Sequence, residues 1–216
     1  MQLGPVEAAP TRDRGASPIT RVWARASVAT TLVLISLLGL LAVAAIPVLL
    51  SKLVLIPAEL ASATGTYRLL TYGIIGSSLP TWLLVSSVLL VSGWIAERWL
   101  GHGTMWCIAG IAVLSGGLIY TGLVPAGPPL FGTGFLAAGF AGAVVAICLR
   151  RWREVSRSAR LVALAFALVY GLAPLRTDPP SLAFFGVFII TAVFAAFRLR
   201  SSRRKQLDPS AAIQGA

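Results

Sequence analysis

The amino-acid sequence predicts an all-α polytopic bundle of about six transmembrane helices with both termini in the cytoplasm. Three observations carry this. The 216 residues are 57% hydrophobic and only 12% charged, whereas a soluble domain carries roughly 25% charged residues. The charges are confined between long apolar stretches: none falls in 28–50, 69–96, 103–149, 161–175 or 181–197. Finally, of the 18 Lys and Arg, only Lys52, Arg68 and Arg176 fall on one side of six crossings, and the other fifteen fall on the opposite side. Basic residues are retained on the cytoplasmic face during insertion.

Residues 1–27 hold Pro5, Pro10 and Pro18, glycines and scattered charge without an apolar period, and read as a disordered basic tail. The six-span domain covers 28–197, and a basic cytoplasmic tail covers 198–216. The first span, 28–50 with a possible extension to Ile56, reaches roughly 34 Å at 1.5 Å per residue, enough for a hydrocarbon core of about 30 Å. Pro47 is expected to kink its far end. A signal peptide is the rival reading, with Ala42-Val43-Ala44 as the cleavage site. Hydrophobicity continues past those alanines, which favours a retained span.

The stretch 51–71 reads as an external loop with a short surface helix. The second span lies within 69–96, its start blurred by Pro80, and a turn at Glu97, Arg98 and His102 leads into the third, 103–124. Pro125-Ala126-Gly127-Pro128-Pro129 forces a tight uncharged loop. The fourth span is 130–149. Arg150, Arg151, Arg153, Arg157 and Arg160 then make a strongly basic loop. The fifth span, 161–175, is short, and the stems of Arg157 and Arg160 lengthen it toward the interface. Arg176–Pro180 turns the chain into the sixth, 181–197. Trp94, Trp99, Trp106 and Trp152 gather toward the cytoplasmic interface, where an indole N–H stays wet.

The net charge of +11 would suggest nucleic acid in a soluble protein. Here the basic residues flank apolar spans, so they set orientation and meet anionic lipid headgroups instead. Cys107 and Cys148 lack a partner at metal or redox spacing and read as reduced thiols. No cofactor is implied. A single His rules out bis-histidine haem ligation within the chain, and no Gly-rich phosphate loop is present.

The span centres carry no ionisable side chain. This argues against carboxylate proton relays and against membrane enzymes built on several Asp, Glu or His. Glu97 and His102 are the best candidates for acid–base work, against the plainer reading of an interfacial turn. Ser86, Ser87, Ser92, Ser115 and Thr121 offer hydroxyls within spans, which more often bond back to their own helix than act as nucleophiles. Arg176 and Asp178 could line an entrance on the outer side.

Gly134, Ala138, Gly142 and Ala146 recur every four residues along the fourth span and predict a close helix–helix contact. Gly110 and Gly117 suggest the same on the third. Such a stripe serves packing within the chain, a homo-oligomer, or a membrane-protein partner.

Three functions fit. The first is a non-enzymatic membrane component such as an accessory subunit, scaffold or partner-binding protein. The second is a small carrier or channel for an apolar or neutral solute. The third is a membrane enzyme using Glu97 and His102. The preference for Arg over Lys and the short loops suit a bacterial plasma membrane.

Overall fold

The computed structural model describes residues 27–60, 63–76 and 78–207. Six helices among these are long and apolar enough to cross a membrane: α1 (Val28–Ala45), α2 (Leu79–Leu100), α3 (His102–Leu123), α4 (Thr133–Arg150), α5 (Arg157–Gly171, continued by a 3-10 turn to Arg176) and α6 (Pro179–Leu207). Helices are the expected solution, since each closes its own backbone hydrogen bonds where no water is available. Six crossings bring Ser27 and Leu207 to the same side. The starts of α1, α3 and α5 and the ends of α2, α4 and α6 form one end of the bundle, the basic end, which carries Arg98, Arg150, Arg157 and Arg198.

α4 is the axis. It packs against α2, α3, α5 and α6, and 78% of its residues are buried, against 17% for α5 and 22% for α1. Its composition explains the position. The run Thr133-Gly-Phe-Leu-Ala-Ala-Gly-Phe-Ala-Gly-Ala leaves little side chain on most faces, so several helices approach its backbone at once. A Cβ on Gly142 would collide with the Phe188 carbonyl of α6, and one on Gly139 would lie 2.6 Å from the Ala112 methyl of α3. Phe135, Phe140, Met105, Ile108, Val144 and Ile147 fill what remains of the centre, all fully buried.

The chain between α1 and α2 departs from the expected external loop. α1 stops at Ala45, the chain breaks at Ile46-Pro47, and a short helix, Val48–Leu53, follows. The chain then turns inward. Val54, Leu55, Leu69, Tyr72 and Ile75 are all buried. The Tyr72 hydroxyl donates to the Val113 carbonyl at 2.6 Å, halfway along α3. Two further ties hold this segment. Leu55 and Leu130 exchange backbone hydrogen bonds of 3.4 and 2.9 Å, and the Gly132 N–H donates to the Tyr72 carbonyl at 3.0 Å. Irregular backbone at this depth is tolerable because protein surrounds it and supplies partners.

Several boundaries move accordingly. α2 begins at Leu79, so 69–76 belongs to the inward segment rather than to the second span. Ser78 sets that start: its hydroxyl accepts from the Thr81 N–H at 3.4 Å, and Pro80 occupies the first turn, where its missing N–H costs nothing. α5 starts at Arg157, capped by Ser156. α6 runs from Pro179 to Leu207, so the expected boundary at 197–198 falls inside one continuous helix. The tail predicted for 1–27 lies outside the described residues up to residue 26, and the 198–216 tail lies outside them from 208.

Candidate functional site

Glu97 and His102 do meet. The α2–α3 reversal is a single residue, Gly101, at φ 77°, a left-handed conformation that glycine adopts without a Cβ penalty. This tight turn brings His102 Nδ1 to 2.8 Å from Glu97 Oε1. The other carboxylate oxygen, Oε2, accepts from the backbone N–H of Val28 at 3.1 Å. The Trp106 indole N–H donates to His102 Nε2 at 3.2 Å. An indole N–H is a donor only. That assigns the ring proton to Nδ1, from which it is donated to Glu97.

The arrangement engages both ring nitrogens and both carboxylate oxygens. Chemically it acts as a strut. Glu97 places negative charge at the start of α1, where the helix dipole is positive and the first N–H groups lack intrahelical partners. Next to it, Gly93 lets the Ala29 methyl pack against α2. The start of the first span is thereby locked to the α2–α3 hairpin. We expect Glu97→Ala to cost about 1–2 kcal/mol through loss of this cap. His102→Gln, half-exposed and still able to donate to Glu97, should cost well under that. Thermal melting of the detergent-solubilised chain measures both, and a larger loss for His102→Gln would reverse the order of importance.

Arg176 and Asp178 diverge at the opposite end. Asp178 accepts from the Ser181 N–H at 3.1 Å and caps the first turn of α6. Hydrogen bonds from Ser181 hold its carboxyl below the usual range, with a weaker contribution from Arg176. A lowered carboxylate pKa stabilises above the unfolded value, and the contribution is lost as pH falls through the folded value. Arg176 instead edges a groove of about 430 Å³ between α5 and α6, lined by Leu168, Tyr170 and Phe184.

The small residues of α4 lie in the chain's own interior. Ala138 and Ala146 are buried, a Cβ on Gly134 would lie 2.9 Å from the Phe184 ring, and Gly142 backs onto α6. Gly117 makes room for Leu69, Leu55 and Tyr72. Gly110 does not pack in this way: among the described residues nothing lies within 4 Å of where its Cβ would be. The span hydroxyls divide: among the described residues the buried Thr121 hydroxyl has no hydrogen-bond partner, whereas three of the serines bond locally. Ser87, Ser92 and Ser115 donate to carbonyls four residues back.

A second groove, of about 390 Å³, opens at the basic end between α2 and the α4–α5 turn. Trp94, Arg98 and Trp99 come from α2, Glu154 and Val155 from the turn, and Ala159 from α5. Neither this groove nor the role of Trp106 is legible in the sequence, because each depends on how the turns stack. Trp82 is a similar case. Its indole N–H donates to Ser36 Oγ at 2.8 Å, a buried bond tying α2 to α1.

These features define the class: a six-helix polytopic membrane bundle built around a buried small-residue helix. The sequence matches no known protein family, and no curated protein resembles it.

Proposed function

We propose that this chain is a non-catalytic component of a bacterial plasma membrane, an accessory or partner-binding subunit with its basic end in the cytoplasm. The observation that supports it is the filled centre of the bundle. α4 occupies the axis where a carrier keeps its solute site, and Phe135, Phe140, Met105 and Ile108 pack around it. Midplane solute sites need unwound backbone or polar side chains facing a cavity. Here the irregular backbone around Leu55 and Tyr72 is bonded to Leu130 and Gly132, and the buried Thr191 hydroxyl is turned back onto the Val187 carbonyl of its own helix, at 2.8 Å. The Glu97–His102–Trp106 group, the best seat for chemistry, is committed to holding α1.

The basic asymmetry supports the orientation. Alkaline phosphatase fused within 125–129 should be active and the same enzyme fused after Lys205 inactive; the reverse pattern would invert the bundle. The functional reading is tested by reconstituting the pure chain in vesicles. No saturable uptake of neutral solutes is expected, and saturable uptake would replace the subunit with a carrier.

A further inference from the structure

We infer that the groove at the basic end, between α2 and the α4–α5 turn, binds one anionic phospholipid, with its phosphodiester at Arg98 and its chains running out past Trp94 into the bilayer.

Arg98 carries the argument. Its guanidinium lies 3.7 Å from the centre of the Trp94 ring, one turn earlier on α2. Helical side chains lean toward the N-terminus, so this stacking follows from the spacing. Stacking uses the face of the guanidinium and leaves its in-plane N–H donors for an oxyanion. Among the described residues no ion pair joins Arg98 to a carboxylate. Both nearby carboxylates are engaged elsewhere: Glu97 with His102 and Val28, and Glu154 with Arg151, whose Nη1 reaches both of its oxygens at 2.9 Å. Among the described residues the groove therefore presents a cation with no carboxylate partner, with Arg153 exposed on the adjoining turn and Arg157 exposed at the start of α5.

The rest of the groove matches the body of a lipid. Ile95, Val155 and Ala159 form a buried apolar floor, and Trp94 is largely exposed. Indoles at this level suit the boundary between headgroups and acyl chains. A free phosphate would use Arg98 alone, whereas a lipid uses the cation and the apolar floor together. The inference is independent of the proposed function, since a subunit or a carrier could hold such a lipid equally.

The test is native mass spectrometry of the full chain in detergent, titrated with phosphatidylglycerol and with phosphatidylcholine of the same chains. One phosphatidylglycerol should be retained preferentially. Arg98→Gln should weaken its retention roughly five- to tenfold. Arg200→Gln, which removes the same charge from an exposed position on α6 outside the groove, should leave it nearly unchanged. Glycerol phosphate at equal concentration should not compete. Trp94→Ala, made at an exposed position, should reproduce part of the loss and guards against a folding defect in Arg98→Gln. Equal binding of phosphatidylcholine, equal losses from Arg98→Gln and Arg200→Gln, undiminished binding by both groove variants, or displacement by glycerol phosphate would each overturn the site.

Discussion

Gly142→Leu should lower the stability of the bundle by at least the top of the ~1–3 kcal/mol range typical of overpacking, and shift the detergent-solubilised chain toward aggregates. The obstacle is not a side chain that can rotate away. A Cβ here meets the Phe188 carbonyl and lies 2.6 Å from Thr191 Oγ1, so the backbone of α6 itself must move. α4 cannot retreat instead, because it is also packed against α2, α3 and α5. Gly110→Leu is the matched comparison. It adds the same bulk to α3 where, among the described residues, nothing lies within 4 Å, and it should leave melting close to wild type. Equal melting curves for the two variants would mean that α4 is not the axis of the bundle.

Tyr72→Ala should release the inward segment between α1 and α2. The ring is fully buried, lies edge-on to Phe135 with centroids 6.0 Å apart, and fills the space left by Gly117 and Gly132. Removing it leaves a cavity costing about 3–5 kcal/mol, the range for a large aromatic truncated in a core. The backbone groups around it then lose their order as well. Tyr72→Phe removes only the hydroxyl's bond to Val113 and should cost about 1 kcal/mol. With Cys107 and Cys148 replaced by Ser, a cysteine introduced at Leu55, which is fully buried in wild type, should become reactive to a water-soluble maleimide in Tyr72→Ala and stay protected in Tyr72→Phe. Protection in both would show that the segment is held by its backbone ties to Leu130 and Gly132 alone.

The six spans were legible because the physics that selects them is one-dimensional. A helix of about 20 apolar residues satisfies its own backbone wherever it sits in lipid, so hydropathy and charge placement identify it without reference to neighbours. The four-residue stripe on the fourth span could be read for the same reason, since helical periodicity is local. The stretch 69–76 shows where this fails. Leu69-Leu-Thr-Tyr-Gly-Ile-Ile-Gly is as apolar as a span, and apolarity alone does not distinguish a crossing helix from an irregular segment buried against one. Only Ser78 and Pro80, a capping residue followed by a first-turn proline, marked the true start of α2.

Composition and periodicity by themselves determined that this chain is a helical membrane bundle, that it crosses about six times, and which helix has the smallest side chains. The tertiary structure decided which neighbours those side chains meet: α6 against Gly142, α3 against Gly139, and an inward-folded segment against Gly117. It also decided what Glu97 and His102 hold, since their link to Val28 joins residues 69 positions apart. The division has a physical cause. Transfer into lipid depends on each segment's own surface, whereas close packing and buried hydrogen bonds depend on the shape of whatever segment arrives opposite.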